Sequence, residues 1–202
     1  MKKLALLVLP LLVFSFSLRP ATISDKERKD AIELLTKTEQ GVFDAVKGLS
    51  DAQLHFKAAP DRWSVEECVK HIAQAEMGLW QATSGSLKAA ANPEKRADVK
   101  ATDDQVVHMM EDRSHKVKTS TNLEPQNTPF KSLSEALESF KTNRDKLIEF
   151  VKTSNDDMRN HVVAFPFGSF DSYQMILFIG AHSNRHTQQI DEVKADPNFP
   201  KN

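Results

Sequence analysis

A single cysteine, Cys68, is all the chain offers for disulfide chemistry, so no intramolecular disulfide is available to it. An excess of basic charge is missing as well. Lys and Arg number 27 against 28 Asp and Glu, a formal charge of −1. That balance lacks the basic patch with aromatic platforms that nucleic-acid binding needs. No apolar run reaches the roughly 20 residues of a membrane-spanning helix. The longest, Leu4 to Leu18, is interrupted by Pro10. Neither βαβ units nor internal repeats can be read in the pattern, which leaves a mainly helical chain.

The N-terminus has the composition of a secretory signal. Lys2 and Lys3 precede the uncharged stretch LALLVLPLLVFSFSL, so Met1–Ala21 is predicted to be a signal peptide, cut between Ser15 and Ala21. An uncleaved anchor is the alternative, since no A-x-A site is evident, and no cysteine there marks a lipoprotein. The location expected is secreted or periplasmic. Cleavage would remove Lys2, Lys3 and Arg19 and no acidic residue, taking the formal charge from −1 to −4. Residues 22–202 are long enough for one domain with a substantial core.

Capping boxes punctuate this domain. Ser24 with Glu27 opens a first helix, whose stripe Ala31, Leu35, Thr38, Val42, Ala45, Leu49 runs toward a stop at Gly48. Ser50 to Trp63 is read as a connector, after which Ser64 with Glu67 opens a second helix to Ala90. Thr102 with Gln105 begins a polar third segment through Lys118, with Val106, Met109 and Val117 on one side. Ser132 and Glu135 start the next helix, carrying Leu133, Leu137, Phe140, Leu147 and Val151 and ending near Asn155. HVVAFPFGSF suggests a short extended piece before Asp171 and Gln174 open the last helix to Lys194.

Histidines carry the chemistry. His182 and His186 form an H-x-x-x-H pair, and residues four apart share a helix face at about 5–6 Å, close enough for two imidazoles to hold one metal ion. Met175, Ile179, His182, His186, Ile190 and Val193 step by three and four along one stripe, so both histidines occupy core positions. His71 in the second helix shares a stripe with Cys68, Ala75, Gly78 and Ala82, small neighbours that leave room around an imidazole. Buried imidazoles need partners for both ring nitrogens, and three on facing stripes can share a cation. A single core histidine is more often simply hydrogen-bonded, and a metal-free bundle with hydrogen-bonded histidines is the bland alternative.

The remaining candidates are weighed in the same way. His55, His108, His115 and His161 fall in connectors or on the polar third segment, and a solvated surface role is expected for them. Cys68 fits a small buried hydrophobe better than a fourth ligand. Trp63 is read as a hydrophobic staple ahead of the Ser64 cap, with a wall of the site as the alternative. Glu76 and Gln189, near His71 and His186, could orient ligands, although a solvated face accounts for Glu76 equally well.

These pieces together resemble the DinB-like, or DinB/YfiT-type, metalloprotein superfamily. LSDAQLHFKAAPDRWSVEECVKHIAQAE is similar to that family's connector, W-S-x-x-E helix start and first metal histidine. FGSFDSYQMILFIGAHSNRHTQQI is similar to its turn and final H-x-x-x-H-x-x-Q-I helix. The resemblance implies an all-α, up-down-down-up four-helix bundle over residues 22–202, often a homodimer. It also implies one divalent ion (zinc, nickel, iron or manganese) held by His71, His182 and His186. Activity is less defined, because one bundle hosts several chemistries. Thiol-dependent transfer occurs in similar proteins, but its small thiols belong to reducing cytoplasm. An exported chain favours hydrolysis of a small substrate by metal-activated water, with no catalytic side chain assignable. A non-catalytic envelope protein stapled by its metal is the alternative function.

Overall fold

The computed structural model describes residues 23–201. The expected signal segment lies outside the described residues. Four long helices dominate: α1 (Asp25–Val46), α3 (Val65–Lys88), α5 (Leu133–Thr153) and α6 (Ser172–Lys194). Two short ones intervene, α2 (Asp51–His55) and α4 (Asp103–Glu111), with a hairpin of β1 (Val162–Phe165) and β2 (Gly168–Asp171) ahead of α6. No helix among the described residues is long and apolar enough to cross a membrane.

Side-chain caps start the helices where the sequence places them. The Ser24/Glu27, Ser64/Glu67 and Thr102/Gln105 boxes are all closed in both directions. At Ser132 only half the box forms: its hydroxyl accepts from the Glu135 amide, while the Glu135 carboxylate turns back to the Lys131 amide. Asp171 caps α6 by accepting from the Gln174 amide.

Contacts at the helix ends fix the directions. Tyr173 Oη at the start of α6 donates to the Glu27 carbonyl at the start of α1, and Lys194 at its end reaches the Ala45 carbonyl, so α1 and α6 are parallel. Arg28 near the start of α1 meets the Val151 and Ser154 carbonyls at the end of α5, which therefore runs the other way. Ser86 late in α3 bonds Ser172 at the start of α6, and Lys70 early in α3 approaches the Lys131 carbonyl just before α5. The order is up, down, down, up, as expected, with α1 and α6 opposed to α3 and α5. Gly180 permits close approach of α6 to α1, since a Cβ there would lie 3.0 Å from Leu34 Cγ.

Two expectations need correction. The connector after Gly48 contains α2, capped by Ser50 with Gln53, instead of being irregular throughout. The third segment stops at Glu111, not Lys118. Asp112 accepts from both the Ser114 amide and its hydroxyl, giving the chain a local turn that competes with the helix. Arg185 of α6 meanwhile takes up the carbonyls of Met110 and Asp112. Val106 is buried as expected, but Met109 is 46% and Val117 78% exposed, so the apolar side read along that segment is not a continuous one.

Candidate metal centre

Core packing sets where the site can form. Ala31, Leu35, Val42, Phe140, Leu147, Ile176, Ile179 and Ile190 fill the centre of the bundle, and the α6 stripe read from the sequence faces inward. His71 projects from α3 and His182 and His186 from α6, at the contact between these two antiparallel helices. His71 and His186 are buried and His182 is half-buried. One ring nitrogen from each lies within 4.8 Å of the others. His71 Nε2 and His182 Nε2 are 3.3 Å apart, close to the spacing of about 3.3 Å for two nitrogens bound tetrahedrally to one ion at about 2.0–2.1 Å.

Hydrogen bonds on the far side of the rings decide which nitrogens face inward. The Leu123 carbonyl, in a turn of 3-10 helix, lies 2.8 Å from His71 Nδ1. A carbonyl can only accept, so Nδ1 carries the proton and Nε2 is a bare lone pair. Gln189 Oε1 does the same for His186 at 2.9 Å. Two lone pairs thus converge, and the single remaining imidazole cannot donate to both. A cation satisfies all three nitrogens, and this donor set fits a divalent metal ion. Burial holds His71 and His186 below the ordinary imidazole range and His182 down to about 3, with the neighbouring rings adding to the effect on His182 and His186. All three are neutral at neutral pH, the state in which they can act as ligands.

Around the triad, several residues differ from expectation. Trp63 is a wall of the site and not merely a staple: its ring centroid is 4.8 Å from that of His71 and 5.8 Å from that of His186, nearly parallel to the latter. Glu76 is on no solvated face. It is fully enclosed and receives Arg144 Nε and Nη2 at 2.7 Å each. Arg144, also fully buried, donates further to the Leu35 carbonyl, Thr38 Oγ1 and Ser183 Oγ, so one side chain of α5 joins all four long helices. Burial pushes the Glu76 carboxyl up while the Arg144 guanidinium draws it back.

His161 also departs from a surface role. It is buried, with ring nitrogens against the Asp157 and Ala89 carbonyls. His55, His108 and His115 are exposed as expected. Cys68 is wholly buried and its thiol is pushed far up, so it packs as a hydrophobe.

The DinB superfamily model matches residues 34–190, which contain the whole triad. The chain belongs to the DinB superfamily. YuaE of Bacillus subtilis (strain 168) is 28% identical over 150 residues, covering 74% of this chain and 88% of YuaE. Among solved structures, YfiT from Bacillus subtilis superposes with a TM-score of 0.58 at 16% identity, over 86% of this chain and 89% of YfiT. YfiT is described as a probable metal-dependent hydrolase with an unusual four-helix bundle topology. At that identity the likeness speaks for the fold, whose helix order is the one derived above from end contacts.

Proposed function

We propose that this DinB-superfamily chain is a metal-dependent hydrolase of small substrates whose divalent ion is held by His71, His182 and His186. The observation that carries the reading is the pair of inward lone pairs on His71 and His186, fixed by Leu123 and Gln189. The description of YfiT as a probable metal-dependent hydrolase supports it. A divalent ion bound there supplies Lewis acidity and brings the pKa of its water toward neutrality. The Leu123 carbonyl and Gln189 Oε1 orient the ligand nitrogens of His71 and His186, and Trp63 covers one side of the triad.

Metal content of untagged protein, wild type and His182→Ala, tests the centre. About one equivalent in wild type and loss in the variant is expected; no bound metal in wild type refutes it. A screen of esters and amides with metal-loaded protein then tests catalysis, and identical behaviour of a folded His71→Ala variant would reject the enzyme reading in favour of a metal that staples the bundle. Export is part of this proposal and rests on Lys2, Lys3 and the Leu4–Leu18 run. N-terminal sequencing of protein recovered from the envelope or medium should find a first residue between Phe16 and Thr22. The homodimer is proposed from family membership, and sedimentation of the protein decides it.

A further inference from the structure

Beside the triad, the rings of α6 and the hairpin form a row. Phe178 and His182 are one turn apart, with centroids 6.4 Å from each other and planes inclined by only 10°. Phe167 continues the row, 6.0 Å from Phe178 and inclined by 17°. It occupies the turn between β1 and β2, where Phe165 pairs with Gly168 and only Pro166 and Phe167 lie between. Gly168 has a φ of +147°, a conformation that side chains rarely adopt, and a Cβ there would come 3.3 Å from the Phe170 ring. Phe165 at 5.3 Å and Phe170 at 5.8 Å back the Phe167 ring, yet it remains 58% exposed. An aromatic ring is thus fixed on three sides and left open to water at the far end of a row that starts on a metal-ligand candidate.

Charge around the triad is one-sided. Three neutral imidazoles leave both charges of a divalent ion uncompensated, and among the described residues no carboxylate bonds to any of the three rings. Two arginines adjoin the α6 histidines: Arg185 is next to His186 in the helix, and Arg144 bonds Ser183, the neighbour of His182. Arg144 is neutralised by Glu76. Arg185 meets only the carbonyls of Met110, Asp112 and His115, and has no ion pair among the described residues. The complement of such a centre is an anionic group.

We propose that the site takes a small carboxylate with an aromatic or apolar tail, the carboxylate meeting the metal centre and the tail lying against Phe167, the open end of a row whose middle ring, Phe178, is buried. The proposal rests on the three-histidine centre above and deepens it by naming the substrate class. The test uses cobalt-loaded protein, whose visible spectrum reports ligands at the metal, titrated with acetate, 3-phenylpropionate and 3-phenylpropionamide. The expectation is that 3-phenylpropionate binds at least about tenfold more tightly than acetate, as partial burial of one phenyl ring allows, and that the neutral amide leaves the spectrum unchanged. Phe167→Ser should bring 3-phenylpropionate down to the acetate level without altering acetate binding, and Phe167→Leu should restore part of the preference. Equal affinity for the two acids in wild type, an amide that binds as well as the acid, or a Phe167→Ser variant that keeps the preference overturns the proposal. Cobalt stoichiometry measured beforehand separates the two failures. A protein that takes up no cobalt refutes the centre and this inference with it, whereas one that binds cobalt and ignores the tail refutes the inference alone.

Discussion

Replacing Glu76 by Gln is the perturbation whose cost follows most directly from the bundle interior. The carboxylate receives two charge-assisted bonds from Arg144, both 2.7 Å, and the two side chains are 2% and 0% exposed. Every other acceptor of Arg144 (the Leu35 carbonyl, Thr38 Oγ1 and Ser183 Oγ) is neutral, so the variant strands a cation away from water. Breaking a buried pair in this way costs about 3–5 kcal/mol. For a domain of this size that is a fall of about 6–20 °C in Tm. Glu76→Leu combined with Arg144→Met should recover much of the loss. The hydroxyls it deprives have other partners, since Thr38 also donates to the Leu34 carbonyl and Ser183 to the Ile179 carbonyl. Urea melts of the metal-free protein, closed into a double-mutant cycle with the Glu76→Leu and Arg144→Met singles, should give a coupling of at least about 2 kcal/mol. A single variant within about 1 kcal/mol of wild type, or a double variant equal to the sum of the singles, would refute the claim that this pair is an isolated buried charge couple.

Three further outcomes are expected. Because the triad is held below the ordinary imidazole range, near 3 for His182, the unfolded chain takes up protons first as pH falls below about 6.5. Metal-free protein should therefore lose up to about 1.4 kcal/mol per pH unit per imidazole from there downward, and a flat stability profile between pH 7 and 5 in urea melts contradicts it. Chelation of the loaded protein should lower Tm by about 8–16 °C if the ion is present at a thousandfold over its Kd, read by scanning calorimetry. Gln189→Leu, which frees His186 Nδ1, should weaken metal binding about 10–100-fold in a chelator competition while leaving the metal-free Tm within a few degrees.

Local signals in the sequence locate the helices well, because caps are short-range chemistry: Ser24, Ser64 and Thr102 each satisfy an orphan amide three residues on. The stripe of α6 likewise puts His182 and His186 inward, and the small residues beside His71 mark the facing position. What escapes is whatever depends on partners distant in sequence. Arg144 sits in register with Phe140, Leu147 and Val151, and a charged residue inside an apolar stripe is the one available sign that it is buried; Glu76, 68 residues away, becomes its partner only once α3 and α5 pack. The Leu123 carbonyl leaves no mark, since every residue has one. Helix α4 ends earlier than its sequence pattern suggests for a similar reason: Arg185, far along the chain, accommodates the carbonyls that the shorter helix leaves free.

Between α3 and α6 the bundle therefore buries two polar clusters with opposite bookkeeping. Around Arg144 the count is closed: Glu76, Thr38, Ser183 and the Leu35 carbonyl take the guanidinium hydrogens, and nothing is left to bind. At the triad it stays open, with at least two lone pairs facing each other and at most one proton among them. An unpaired buried acceptor costs about 1–3 kcal/mol, so an open cluster survives only where the rest of the core over-determines the fold or where a ligand completes it. Ser183, bonded to Arg144, is the residue next to His182, so the closed cluster anchors the helix that carries two of the three open nitrogens. Such an arrangement lets the metal-free bundle hold its geometry without the ion, which is why the Glu76 variant should weaken metal binding as well as stability, whereas Gln189→Leu should weaken metal binding alone.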